Sequence, residues 1–246
     1  MIRRSRFTQS LLALAAGSLL STSLLAADAW PSKPIKLIVP YPPGGSSDII
    51  ARSIGQLISE ELKQPVVIEN KPGANGNLGA ELVARAQPDG YTWLLCDLGA
   101  LAISPSIYTK LNFDPSKALR GAAMLAYSPH MLVVHPSVPA SNLKELVELS
   151  KKQDLNFAVT ATGSAPHLAG VELARITGAK WVYVPYKGGV QSVQDTVAGQ
   201  TQVLMNGMLA TYPHVQSGKL KLLGISKNTR MPLIADVPTL AEQGTT

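Results

Sequence analysis

Short apolar runs rich in β-branched residues alternate down this chain with segments whose apolar residues recur every three or four positions. That alternation restricts the fold more than any other feature. KPIKLIVP (33–40), PVVIEN (65–70) and YTWLLC (91–96) read as strands. Between the first two, Ile50, Ile54, Leu57, Ile58 and Leu62 fall on one helical face, with Arg52, Ser53, Ser59 and Glu60 between them. LGAELVARA reads as the next helix, closed by the Pro88-Asp89-Gly90 turn. Strands separated by helices imply βαβ units and a mostly parallel sheet.

The second half repeats the scheme. Strands are expected at 131–136, 155–160, 181–186, 201–206 and 220–226. Asn142 and Glu145 can form a capping box for a helix carrying Leu143, Leu146 and Val147. HLAGVELARITG is a helix ended by Gly178, and Val190, Val193 and Val197 share one side of another. The expectation is an α/β protein of two closely packed lobes, crossed by the chain near 120–130 and again near 220–232.

Three strand-to-helix corners share one chemistry. They are Tyr41–Asp48 (YPPGGSSD), Lys71–Asn77 (KPGANGN) and Thr160–His167 (TATGSAPH). Glycine lets the backbone come close to a ligand and take positive φ. Ser, Asn or Thr stands near the helix start, where first-turn amides lack partners and the helix dipole favours an anion. Such corners follow the carboxyl ends of strands, where open α/β sheets bind ligands. One lies in each half, so two helix N-termini can aim into one cleft and hold a small carboxylate-bearing anion. Backbone amides of Gly44, Gly45, Gly163 and Ser164 are expected to hold its oxygens. Ser46, Thr160 and Thr162 would add hydroxyls, Tyr41 would shape the pocket, and Asn75, Gly76 and Asn77 would form a third wall. Asp48 complements the helix dipole and orients the corner or a bound water. His167, three residues after Ser164, completes the candidate set.

Other chemistries find less footing. Neither Gly-x-x-x-x-Gly-Lys-Ser/Thr nor Gly-x-Gly-x-x-Gly occurs, which argues against ATP and dinucleotides. The four histidines, 130, 135, 167 and 214, form no cluster with metal-ligand spacing, and no cofactor is expected. His130 and His135 flank a strand and read as ordinary structural residues. Ser164 and His167 suggest a periplasmic hydrolase as an alternative, but TGSAP is not a Gly-x-Ser-x-Gly elbow. The lone Cys96, inside WLLC, reads as a small buried hydrophobe.

The N-terminus bears on compartment and charge. Arg3, Arg4 and Arg6 precede an apolar stretch from Leu11 to Leu25 and small residues near 26–29. Residues 1–27 therefore read as a secretory signal peptide, and the periplasm as the destination. Without them, 19 basic residues stand against 16 acidic ones in a chain of roughly 215–220 residues, room for one large domain or two small ones. The basic residues are scattered, so no nucleic-acid face is expected.

WPSKPIKLIVPYPPGGSSDIIAR, QPVVIENKPGANGNLGAELVARAQPDGYTWLL, TGSAPHLAG, VPYKGG and ADVPTLAEQG together resemble the periplasmic substrate-binding proteins of tripartite tricarboxylate transporters, the Bug family. The resemblance runs from about residue 30 to the last residue. It implies a type II "Venus flytrap" architecture with mostly parallel sheets, a small organic carboxylate as ligand, integral membrane permease subunits as partners, a monomer, and no enzymatic activity. It places the carboxylate between the Tyr41–Asp48 and Thr160–His167 stretches. A sensory protein or a non-binding remnant is the other outcome this ancestry allows. The implied division is lobe 1 at 28–125, lobe 2 at 126–226, and 227–246 returning to lobe 1. The family continues for roughly seventy residues beyond a motif like LAEQG, so the chain reads as truncated. Cys96-Asp97-Leu98 stands where small hydroxylated residues are usual, in a loop that the resemblance places at the cleft, so a different ligand is expected; Ser104-Pro105 stands where Asn-Pro is usual. Asn206, after the TQVLMN strand, is a further residue expected to tune specificity.

Overall fold

The computed structural model describes residues 30–245, so the expected signal segment lies outside the described residues. All its helices and strands belong to one unit, Pro34–Thr246, built on two sheets. The first sheet has order β2-β1-β3, with β1 at Ile35–Val39, β2 at Val66–Asn70 and β3 at Thr92–Leu94, all parallel. Helix α1 (Ser46–Leu62) connects β1 to β2, and α2 (Asn77–Ala84) connects β2 to β3. Leu37, Val39, Ala51 and Leu95 form the buried centre of this lobe. Helices α3 (Leu98–Ile107) and α4 (Pro115–Ala118) follow, capped by the side chains of Asp97 and Asp114.

The second sheet has order β6-β5-β7-β4-β8. Its strands are β4 (His130–Val134), β5 (Asn156–Val159), β6 (Val182–Pro185), β7 (Val203–Gly207) and β8 (Lys221–Ile225). Period-two alternation along β4 sends Leu132 and Val134 into one core layer and Met131 and Val133 into the other. Helices α5 (Leu143–Ser150) and α6 (Ala165–Thr177) cover the first layer. Helices α7 (Gly189–Val197) and α8 (Met208–Gln216) cover the second. Phe157, fully buried, packs its ring 5.3 Å from Trp181 and 5.7 Å from Tyr183.

All eight expected strands are present, and the expected Asn142–Glu145 cap forms in a shifted version: Asn142 accepts from the Glu145 amide, while the Glu145 carboxylate accepts from the Asn142 side-chain amide and from the Ser141 amide, one residue before the N-cap. Two points differ from expectation. First, β4 runs antiparallel to both β7 and β8, so the second sheet is mixed. Second, the segment after β8 does not return to the first sheet. Ile234 and Leu240 bury themselves in the two core layers of the second sheet. Leu240 donates its amide to Ile225 O at 2.9 Å, and Gln243 joins Leu223 O to the Leu143 amide. The physical reason is the open edge of β8, which Thr239 extends by a parallel bridge to Ile225. Among the described residues the chain passes between the sheets through 119–129, a segment without regular structure and exposed over 120–127.

Candidate functional site

The corner after β1 is held from beneath by Asp48. Its carboxylate accepts from the Gly44 amide (2.9 Å), from Arg52 Nε (2.9 Å) and from Asn70 Nδ2 (2.9 Å). Asn70 also donates to Tyr41 O at 3.0 Å, tying the end of β2 to the corner. Burial alone would raise the Asp48 pKa, but the hydrogen bonds from Arg52, Gly44 and Asn70 outweigh it and hold the group below the ordinary carboxylate range. Gly44 takes a left-handed φ of +82, which turns its amide back toward Asp48. The Gly44 amide is therefore occupied. The Gly45, Ser46 and Ser47 amides take no protein acceptor among the described residues and stand at the start of a seventeen-residue helix.

The corner after β5 closes on itself. The Gly163 amide donates to His167 Nδ1 at 3.0 Å, the Ser164 amide to Ala161 O at 3.1 Å, and the His167 amide to Ser164 Oγ at 3.3 Å. Thr160 Oγ1 adds a hydrogen bond to Ser164 Oγ at 3.1 Å. The expected amide donors Gly163 and Ser164 are thus used internally. The His167 ring is turned to the Gly163 amide and stands edge-on to Tyr183 at 5.2 Å. Burial pushes its pKa down, which suits a ring nitrogen that accepts a hydrogen bond. With Nδ1 committed in this way, the pair lacks the geometry of a nucleophile and its base.

These corners face each other across a cavity of about 110 Å³, room for roughly four waters at about 30 Å³ each. Of the expected site residues, Tyr41, Gly45, Ser46, Asn75, Thr160 and Ser164 line it. Gly44, Asp48, Gly76, Asn77, Thr162, Gly163 and His167 do not, and most of these act one step behind the wall. Asn75, buried and left-handed at φ 54, donates across the cleft to Gly163 O at 3.1 Å. Gly76 packs on Tyr41, where an added Cβ would come within 3.2 Å of the phenol oxygen. The exposed Thr162 accepts from Tyr108 OH at 3.1 Å, again between lobes. Ser46 Oγ accepts from the Ala210 amide at 3.3 Å, and an added Cβ on Gly188 would sit 2.6 Å from the Pro42 ring. The lobes are closed on one another.

Several lining residues lie outside the three corners. Gly189, Gly207 and Ala210 bring the starts of α7 and α8 to the cavity. The signal for α7 was present, since Tyr186 through Gly189 (YKGG) repeats the strand-then-glycine pattern of the first corner. Asn206 lines the cavity and donates to Thr211 Oγ1 at 3.2 Å. Asp97 and His130 also line it. His130, read as structural, is brought there by its register opposite Gly207. Burial lowers its pKa, opposed by the Asp97 charge. Burial, with Asp97 and Cys96 adding to it, pushes the Tyr41 phenol far up, so it stays protonated. The Cys96 thiol is pushed up to about 11 by burial and by Asp97, which suits a small buried hydrophobe and not a nucleophile. Among the described residues no group of three or more His, Cys, Asp or Glu could hold a metal ion, and no helix is long and apolar enough to cross a membrane.

The family model described as "Tripartite tricarboxylate transporter family receptor" matches residues 50–246. BugT of Bordetella pertussis is 35% identical over 89% of this chain and 68% of its own length. Three solved structures are similar over 88% of this chain. A periplasmic transporter is 40% identical with a TM-score of 0.85 over 73% of its chain. Rpa4515 of R. palustris with adipate is 30% identical, with a TM-score of 0.85 over 73% of its chain. MatC from Rhodopseudomonas palustris with bound malate is 31% identical, with a TM-score of 0.82 over 74% of its chain. With the two-sheet fold and the cleft between its corners, these likenesses place the chain in the receptor family of tripartite tricarboxylate transporters, the Bug family of substrate-binding proteins.

Proposed function

We propose that this chain is a periplasmic receptor that closes on one small carboxylate-bearing solute and delivers it to the integral membrane permease of a tripartite tricarboxylate transporter. The observation that carries this reading is the first corner. Asp48 consumes the Gly44 amide and leaves Gly45, Ser46 and Ser47 open at a helix N-terminus facing an interlobe cavity. Ser164, Thr160 and Asn75 supply polar groups from the other walls. Adipate and malate in two similar proteins support a carboxylate here. The first lobe runs to Ala118 and the second from His130, with 119–129 as the segment about which they hinge. The protein acts by binding and release. Export follows from the reading of residues 1–27 as a signal peptide.

Thermal unfolding of the purified protein against mono-, di- and tricarboxylates tests this. A ligand at 100 times its dissociation constant adds about 2.7 kcal/mol, a rise of roughly 5–10 °C at this size. A selective rise with one class of acid is expected. A cooperative transition that no carboxylate moves would overturn the reading.

A further inference from the structure

The cavity has a charge pattern that a plain dicarboxylate does not match. Helix starts favour one anionic group, yet the wall also carries the Asp97 carboxylate. No Lys or Arg lines the cavity to balance it, and His130 is held toward its neutral form by burial. Tyr41 stays protonated partly because the Asp97 charge opposes its ionisation. Among the described residues the Gly99 amide, at 2.8 Å from Oδ1, is the one donor to this carboxylate. A carboxylate offers about four lone-pair sites, so acceptor capacity is left over at the cavity wall. In a space of about 110 Å³, a second ligand carboxylate would meet Asp97 as a like charge with little water between.

We propose that the cleft selects a small amino acid zwitterion, its carboxylate on the Gly45–Ser47 amides and its ammonium group on Asp97, which makes Asp97 the specificity-determining residue. This rests on the carboxylate reading of the first corner and names the solute class within it. Asp97 is at once the N-cap of α3 and the group that reads the ligand. Asparagine caps a helix about as well as aspartate, so Asp97→Asn removes the charge and keeps the cap.

The test compares propionate, lactate and alanine, which carry one carboxylate on a three-carbon skeleton and differ by hydrogen, hydroxyl or ammonium at one carbon. Each is titrated calorimetrically into the wild-type protein and Asp97→Asn, with the four-carbon series butyrate, 2-hydroxybutyrate and 2-aminobutyrate alongside. Wild type is expected to bind the amino acid of one series at least tenfold tighter than its plain acid. Asp97→Asn is expected to bring that ratio within about threefold. Equal or tighter binding of the plain acid, or a ratio that Asp97→Asn leaves unchanged, overturns the inference and leaves the carboxylate reading standing. The hydroxy acid ahead of the amino acid in both series overturns the ammonium assignment. No binding of any of the six overturns the inference, and the carboxylate reading is then decided by the thermal series of mono-, di- and tricarboxylates.

Discussion

The corner after β1 and the corner after β5 look alike in sequence, yet they leave different amides open. In the first, one buried carboxylate behind the loop takes the Gly44 amide and leaves the next three open. In the second, Ser164 Oγ, His167 Nδ1 and Ala161 O take the amides of His167, Gly163 and Ser164. The first corner is left hungry for an anion, and the second is a finished surface that closes over it. The decisive difference is at the helix N-cap. Asp48 and His167 act alike, each reaching back four residues to a glycine amide. Gly45 has no side chain to cap with, whereas Ser164 takes the His167 amide, turns its own amide to Ala161 O, and stands two residues before Pro166, which has no N–H to offer. A glycine-rich corner is therefore an anion site only when its own side chains leave amides unspent.

That contrast can be broken most forcefully at Asp48. Asp48→Ala leaves the Gly44 amide and Asn70 without their acceptor, and should cost about 3 kcal/mol in urea unfolding. The pH dependence has a definite sign. The folded-state pKa is depressed, so the contribution is present above the ordinary value of 3.8 and is lost as pH falls through the folded value. Wild type and variant should therefore converge in strongly acid solution. Ser46→Pro acts next in size. Proline is tolerated at the first helical position, and Gly45 before it is already extended at φ −75, ψ 166. It removes an open amide and the Ser46 hydroxyl. A hydrogen bond to a charged group is worth about 1.5–3 kcal/mol, so calorimetric affinity should drop roughly ten- to hundredfold, while urea stability should fall by about 0.5 kcal/mol as the Ala210 amide loses its acceptor.

Ser164→Ala should show the reverse balance. Loss of the cap costs about 1 kcal/mol in stability, and affinity should fall less than in Ser46→Pro. The smallest effect concerns His167. Its folded pKa lies below the ordinary 6.5, so its contribution is complete above that pH and is lost as pH falls through the lowered value. Stability should decline slightly from pH 7.5 to about 5, as should wild-type protection of the Gly163 amide against exchange. His167→Gln should remove part of the decline, and His130, also lowered by burial, should account for a further part.

Much of this fold is legible in the chain because strands and their corners carry local signals. Val, Ile and Leu runs mark all eight strands, and Asn142 with Glu145 marks a helix start. Helices α3 and α8 went unread because each contains a proline, Pro105 or Pro213, that reads as a breaker. The antiparallel β4 was not legible, since period two is the same in either direction. The cavity lining divides similarly. Corner chemistry singles out Tyr41, Gly45, Ser46, Asn75, Thr160 and Ser164, which all line the cavity. Asp97 stands out only through the family resemblance, and His130 reads as structural, because topology is what brings both to the cavity. Pairing of β3 beside β1 sets the Asp97 loop next to Tyr41, and the β4–β7 register sets His130 opposite Gly207. Which amides stay open could not be read either, because that depends on how side chains fold back at 2.9–3.3 Å.

The most direct test of the central claim is a titration of ¹⁵N-labelled protein with the acid that raises its unfolding temperature most, followed amide by amide. The account predicts the largest downfield proton shifts at Gly45, Ser46 and Ser47, with smaller changes at Gly44, Gly163 and Ser164. Largest shifts at Gly163 and Ser164, with Gly45–Ser47 unmoved at saturation, would contradict it.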